Sequence, residues 1–131
     1  MKLLNAFFGR LEECSDKDGV PYTEADWRSA YAGLPGLIAV YESERKAPGK
    51  RFAYFFPDQS DWDVQDWLRT SAGELQVEDK TYTITTINSR YVFVMDEGAL
   101  SEGNRLLLCL NTGIVPTVRS VNNDKRPTKQ E

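Results

Sequence analysis

Hydrophobic positions near the N-terminus recur at the spacing of amphipathic helices. Between residues 2 and 14, the apolar side chains that share one face of a helix are Leu3, Leu4, Phe7, Phe8, Leu11 and Cys14. After a turn at residues 15–19, Thr23 can cap a second helix. The apolar stripe of that helix consists of Trp27, Ala30, Tyr31 and Leu34. The pattern predicts two N-terminal helices whose stripes face the core.

Runs of β-branched and aromatic residues predict a sheet. Thr81 to Asp96 holds two such runs around Asn88-Ser89 and predicts a β-hairpin. Short apolar runs predict further strands at 37–41, 52–56, 75–77 and 106–110, and an edge strand at 114–121, where Pro116 cannot donate a ladder hydrogen bond. We therefore expect an α+β fold with an antiparallel sheet of about five or six strands, on which the two N-terminal helices and one inserted helix pack.

The inserted helix is predicted over residues 60–72. Ser60 and Asp63 form a capping-box pattern, and Gly73 follows as a stop signal. Trp62 falls on the side of the helix away from its apolar face, near Asp66. Since it lies in the first helical turn, the alternative that it packs against the preceding strand or an adjacent loop stays open. An indole flanked by carboxylates is suited to bind a protein partner with a basic surface. The predicted partner-binding residues are Asp58, Asp61, Trp62, Asp63 and Asp66.

The loop at 44–51, between two predicted strands, is the most basic segment of the chain. A solvated hairpin tip is the simpler interpretation. The alternative is a contact with an anion, either a phosphate or an acidic partner, through Arg45, Lys46, Lys50 and Arg51.

Composition narrows the class of protein. The chain has 131 residues, of which 40% are hydrophobic, so it is long enough to bury a core. We expect one domain over residues 1–121 and a flexible polar tail at 122–131. The net charge of −4 makes duplex nucleic acid an unlikely partner, because binding to phosphates draws on clustered Lys and Arg.

The chain contains no histidine, which excludes Ser-His-Asp and Cys-His catalysis and His-based metal sites. No metal-ligand cluster or phosphate-binding glycine loop is present in the sequence. We therefore expect no metal, no cofactor and no enzymatic activity. Cys14 and Cys109 have apolar neighbours and are expected to be buried reduced thiols, which favours a cytoplasmic protein. No stretch has the length of a membrane span or a secretory signal, so no membrane partner is expected.

One short pattern resembles a nuclease signature. Pro57-Asp58, followed by Glu78-Asp79-Lys80, is similar to the Pro-Asp…Glu-x-Lys motif of restriction-endonuclease-like nucleases. The resemblance implies that Asp58 and Glu78 hold a divalent metal and that Lys80 helps to activate water. It covers these positions only. In that family the Glu-x-Lys lies on a core strand, whereas here it is predicted to be a turn that follows a helix.

The function that these observations favour is protein binding. We expect a small non-enzymatic regulator or inhibitor that acts by stoichiometric protein contact, of the immunity-protein or phage-counter-defence type, through the acidic helix that carries Trp62. Two alternatives stay open: a small-ligand or nucleotide-binding protein, and a metal-dependent nuclease that uses Asp58, Glu78 and Lys80.

Overall fold

The described part of the chain forms one antiparallel sheet of seven strands in the order β4-β3-β2-β1-β7-β6-β5. The computed structural model describes residues 1–44, 48–59 and 66–117. The strands are β1 (Lys2–Asp16), β2 (Pro35–Glu42), β3 (Arg51–Pro57), β4 (Leu68–Arg69), β5 (Glu74–Glu78), β6 (Thr81–Thr85) and β7 (Ser89–Met95). The helices are two short 3-10 helices, Trp27–Tyr31 and Glu97–Ala99, and α1 (Glu102–Thr112).

The sheet curls back on itself and encloses the main core. Arg51 in β3 and Gly73, directly before β5, form an antiparallel bridge with N···O distances of 2.9 and 2.7 Å. A side chain at Gly73 would overlap the carbonyl of Thr85, so the close approach requires glycine. The side chains of the inner core are Phe7, Leu11, Cys14, Tyr31, Ile38, Val40, Ala53, Phe55, Leu68, Tyr82, Ile84, Tyr91, Phe93 and Met95.

Helix α1 lies on the outer face of the sheet. Its Leu108 is buried in a second, smaller core with Phe8 of β1 and Leu37 of β2. Leu106 and Leu110 remain 60% and 70% exposed. No helix in the described ranges has both the length and the apolar character needed to cross a membrane.

The prediction of a first N-terminal helix is wrong, because residues 2–14 lie in β1. Phe7 and Leu11 face the inner core, and Gly9 takes the inward position between them without adding a side chain. A bulge after Leu11 then adds one residue before the next inward side chain, Cys14. Inward apolar side chains therefore stand at intervals of four and three residues, which imitates the period of a helix.

The second predicted N-terminal helix is also wrong. The chain forms only the five-residue 3-10 helix Trp27–Tyr31, capped by the side chain of Asp26. Because the cap is Asp26 and not Thr23, and Gly33 takes a positive φ of 86° before β2 begins at Pro35, only residues 27–32 are left for a helix. Tyr31 is buried but Trp27 is 64% exposed, so the predicted stripe does not form a continuous core face.

The inserted helix and the last core strand are corrected as well. Residues 60–65 lie outside the described residues, and residues 66–72 contain the short strand β4 and no helix. The run 106–110, predicted as a strand, belongs to α1. Ser101 caps this helix by accepting a hydrogen bond from the backbone N–H of Asn104 at 3.2 Å, and Gly113 ends it with a φ of 73°.

The strands predicted before residue 97 are confirmed, but the sheet has seven strands and not five or six, and the predicted α+β arrangement with three packed helices is wrong. The runs at 37–41, 52–56 and 75–77 lie in β2, β3 and β5, and the hairpin from Thr81 to Asp96 is β6 and β7. Its second arm, β7, lies between β6 and β1. Residues 114–117 form no strand, and both the remainder of the predicted edge strand, 118–121, and the predicted tail lie outside the described residues.

Candidate functional site

The segment between β1 and β2, residues 17–34, covers the inner core and is here called the strap. Near its start, the N–H of Tyr22 donates to the carbonyl of Cys14 at 3.1 Å, and near its end the N–H of Gly33 donates to the carbonyl of Leu11 at 2.6 Å. Both ends of the strap therefore lie along β1. Tyr22 packs against the inner core, and Tyr31 belongs to it. The strap is thus attached to the sheet at both ends.

Arg28 fastens the first half of the strap to β7. Its Nε and Nη2 atoms donate to the two carboxylate oxygens of Asp26 at 3.0 and 2.8 Å. Its Nη1 atom donates to Ser89 Oγ at 2.9 Å and to Tyr91 Oη at 3.3 Å. The guanidinium also lies 4.2 Å from the ring centroid of Tyr22, whose hydroxyl is 2.7 Å from Ser89 Oγ. One side chain thus joins the strap to two residues of β7.

The charges in this cluster are matched. Hydrogen bonds from Arg28 lower the pKa of Asp26 to about 2, and the pairing with Asp26 in turn raises the pKa of Arg28 above its ordinary value. Both groups therefore remain charged at neutral pH. The pair contributes no net charge to the surface of the strap.

Tyr31 fastens the second half of the strap to the segment that leads into β4. Its hydroxyl donates to the carboxylate of Asp66, and the carbonyl oxygen of Trp67 lies 3.3 Å from the same hydroxyl oxygen. Burial, followed by the neighbouring Asp66, raises the pKa of Tyr31. The hydroxyl is therefore a permanent donor in the neutral pH range.

Two exposed tryptophans lie at this junction. The ring of Trp27 meets that of Tyr31 edge to face, with centroids 5.9 Å apart and an angle of 84° between the planes. Trp27 is 64% exposed, and Trp67 is 47% exposed. Large aromatic side chains are seldom left so open to water. We call Trp27, Tyr31, Asp66 and Trp67 the tryptophan patch.

The predicted partner-binding residues do not all lie in this patch. Asp66 belongs to it. Asp58 lies at the end of β3, where its Oδ2 atom accepts a hydrogen bond from Asn104 Nδ2 of α1 at 3.1 Å. Its Oδ1 atom is buried without a hydrogen bond to any described residue. The remaining three, Asp61, Trp62 and Asp63, lie outside the described residues.

The cations of the predicted anion contact are paired where the structure describes them. Lys50 forms an ion pair with Glu74 and lowers the pKa of that carboxyl. Arg51 lies 3.9 Å from Glu42. The other two, Arg45 and Lys46, lie outside the described residues.

The residues of the nuclease-like pattern are placed far apart. Because the Arg51–Gly73 bridge is antiparallel, β3 and β5 run away from it in opposite directions. Asp58 follows the far end of β3, and Glu78 closes the far end of β5, with Lys80 in the turn after it. Within the described ranges, no group of three or more His, Cys, Asp or Glu side chains is placed to hold a metal ion.

Cys14 lies near the Arg28 cluster but is not poised for nucleophilic chemistry. Burial raises its pKa to about 11, and the charge of Arg28 offsets this only in part. At neutral pH the thiol is protonated, and the thiolate is the reactive form. Cys109 is half-buried in α1.

Sequence reasoning missed Trp27, Arg28, Ser89 and Tyr91 as site residues. The contact between Arg28 and β7 joins residues distant in the sequence, and no spacing rule reveals it. A signal was present for the short helix: Asp26 is a strong N-cap residue, and an N-cap there leaves only residues 27–32 before Gly33 and Pro35.

Comparisons of the chain with models of protein families, with curated proteins and with solved structures find no match.

Proposed function

We propose that the protein is a small non-enzymatic binding protein, a regulator or inhibitor that acts in the cytoplasm by stoichiometric contact with a protein partner. The proposed contact surface is the tryptophan patch. Asp61, Trp62 and Asp63, which lie outside the described residues, are proposed as further contact residues. Immunity proteins and phage counter-defence proteins are the functional class that this mode of action fits.

The proposal rests on one observation: Trp27 is 64% exposed on a segment that is anchored on both sides. Arg28 follows it directly and binds Ser89 and Tyr91, while Tyr31, one helical turn later, binds the carboxylate of Asp66. Exposed tryptophans often supply most of the energy of a protein interface. An indole held in place before binding loses less conformational entropy when a partner covers it.

The charge distribution supports a basic partner. Arg28 is neutralised by Asp26, whereas Asp66 is exposed and its negative charge lies beside Trp67. The whole chain carries a net charge of −4. A basic partner surface would therefore be attracted over long range and would meet carboxylates at the patch.

Affinity capture tests the proposal. The tagged protein and its Trp27→Ala variant are used to capture proteins from the organism that encodes the chain, and the captured proteins are identified by mass spectrometry. The purified partner is then titrated against both proteins by calorimetry. Removing a hot-spot indole is expected to weaken binding by about 30-fold, which corresponds to roughly 2 kcal/mol.

Leu110→Ala is the matched control, because Leu110 is 70% exposed but lies on α1. This variant is expected to bind like the unmodified protein. Equal affinities for Trp27→Ala and the unmodified protein would contradict the proposal.

A small-ligand binding function is the second candidate, supported by a cavity beside the strap. The cavity has a volume of about 190 Å³ and is lined by Arg28, Ser89 and Tyr91, with Ile87 at its rim. Because Arg28 is paired with Asp26, the polar groups of the cavity suit a small neutral polar ligand. A thermal-shift screen with small polar metabolites tests this function, and Ile87→Trp, which fills the opening, should abolish any shift.

A further inference from the structure

The sheet ends at β5, and the outer edge of this strand has no neighbour in the described part of the chain. The N–H and C=O groups of Gly73 point away from β6, because they bond to Arg51. Backbone groups alternate in direction along a strand, so those of Leu75 and Val77 also point away from β6. The edge therefore presents two N–H donors and two C=O acceptors.

The side chains along this edge separate into an apolar and an acidic row. Val77 lies opposite Tyr82 in the inward row but is 53% exposed. In the outward row, Glu74 and Glu78 lie opposite Thr85 and Thr81. The edge thus combines an uncovered apolar side chain with carboxylates at both ends of the outward row, which has Gln76 between them.

A shallow groove of about 450 Å³ borders the outward row. Glu13 and Arg90 in this groove are 3.4 Å apart and neutralise each other. Glu74 is paired with Lys50 at the other end of the edge. Glu78 forms no ion pair with any described residue, so its charge is available to a ligand.

A second copy of the chain fits this edge poorly. If two β5 strands paired antiparallel so that Leu75 faced Val77 of the second copy, Glu74 would lie directly opposite Glu78 of that copy. Like charges in directly opposed positions destabilise a strand pair. The acidic row therefore disfavours self-association and favours a strand with the opposite charge.

We propose that the edge of β5 binds an extended protein segment with Lys or Arg at alternate positions, by addition of a strand to the sheet. The added strand would pair with the backbone of Leu75 and Val77, cover the Val77 side chain, and place its cations opposite Glu74 and Glu78. This surface is separate from the tryptophan patch and does not depend on the function proposed for it.

A synthetic peptide tests the proposal. A labelled peptide of about ten residues, a length typical of a long strand, with alternating lysine and valine, is titrated against the full chain by fluorescence anisotropy. Binding is expected, with slower hydrogen exchange at the amides of Leu75 and Val77 measured by NMR. The same peptide with glutamate in place of lysine is expected not to bind.

Two variants at one position separate strand addition from non-specific attraction. Val77→Pro removes the N–H on the open edge without removing a bond to β6, and it is expected to weaken binding about tenfold or more. Val77→Thr keeps the N–H at the same position and should bind about tenfold or more tightly than Val77→Pro. Glu78→Lys leaves the backbone intact and should reverse the preference between the two peptides, so the test does not depend on the folding of the proline variant.

Three results would overturn the proposal: equal binding of the basic and acidic peptides, equal affinity of the properly folded Val77→Pro and Val77→Thr variants, or protection confined to amides away from β5. Sedimentation that detects a dimer of the unmodified chain but not of Val77→Pro would assign the edge to a second copy instead, and would equally overturn it.

Discussion

The strap and α1 are attached to the same sheet by different kinds of interaction. The strap covers the inner face and is held by directional hydrogen bonds from Arg28 and Tyr31. Helix α1 covers the outer face and is held chiefly by the burial of Leu108. Both expose large apolar side chains, Trp27 on the strap and Leu110 on the helix. Exposure alone therefore does not distinguish a binding surface from an ordinary helix face.

The difference lies in what fixes the exposed side chain. Trp27 is flanked by Asp26 and Arg28, whose mutual hydrogen bonds set the geometry of the 3-10 helix. Leu110 lies near the C-terminal end of α1. Apolar contacts hold this helix to the sheet, and because such contacts are non-directional they do not fix the orientation of an exposed side chain. A binding surface benefits from the first arrangement, because a positioned side chain gives a partner affinity at a lower cost in entropy.

Of the variants that test this difference between the strap and α1, Leu108→Ala is expected to lower the free energy of unfolding most. Leu108 is fully buried, and its truncation should lower the free energy of unfolding by about 3 kcal/mol through lost burial and an unfilled cavity. Urea denaturation measures this. The exposed Leu110→Ala serves as the control and should stay within about 0.5 kcal/mol of the unmodified protein. Similar losses for the two variants would show that Leu108 does not hold the helix.

Arg28→Met is expected to have the second largest effect. It leaves Asp26, Ser89 and Tyr91 without their shared donor. The side chains of Arg28 and Asp26 lie near the surface, so solvent screens part of the loss, and we expect a smaller fall in the free energy of unfolding than for Leu108→Ala, measured by urea denaturation.

Hydrogen exchange should show that the loss in Arg28→Met is concentrated in the strap and not in α1. Arg69→Met is the control, because Arg69 is exposed on β4, outside the strap, and its guanidinium lies over the rings of Phe52 and Tyr54 of β3, at 4.7 and 5.5 Å. A uniform loss of protection across both segments would contradict the separate attachment of the strap.

The smallest effect is a pH dependence confined to the strap. The pKa of Asp26 is lowered to about 2 in the folded state from an unfolded value near 3.8. Its pairing therefore contributes fully above about pH 4 and is lost as the pH falls toward about 2. The stability difference between the unmodified protein and Asp26→Asn, measured by urea denaturation, should be constant from about pH 5 to 8 and shrink below about pH 4.

Asp18→Asn removes one charge from an exposed position of the strap and serves as the control for general charge effects. If the stability difference between the unmodified protein and Asp26→Asn does not change in acid, the pairing with Arg28 does not stabilise the fold.

The sequence predicted strands correctly where inward apolar residues alternate with outward residues, because one face of such a strand packs on the core. β6 and β7 alternate between inward aromatic or aliphatic residues and outward residues such as Thr83 and Arg90, and they were predicted correctly. In β1 the same reasoning failed, because Gly9 and the following bulge hide the alternation. In α1 it failed because five consecutive apolar residues have no period, so only the caps Ser101 and Gly113 indicate a helix.

The candidate site was predictable only in part. Asp66 was identified from its acidic neighbourhood, and the structure places it beside the strap. Trp27 was assigned to the core because its spacing to Tyr31 suits a helix face, yet only Tyr31 is buried. The partners of Arg28 lie on β7, and contacts between such distant segments depend on the path of the chain through the whole sheet.

The central position of β1 constrains how the chain folds during synthesis. β1 is made before the other described strands and can pair with β2 as soon as β2 is made, but its second neighbour, β7, is the last strand in the described part of the chain. Until Met95 has left the ribosome, the half of β1 that ends at Asp16 keeps an unpaired edge, on which other nascent chains can add strands. Closing this long-range pair is expected to limit the folding rate, so a pause in translation before β7 would prolong the interval in which the chain can aggregate.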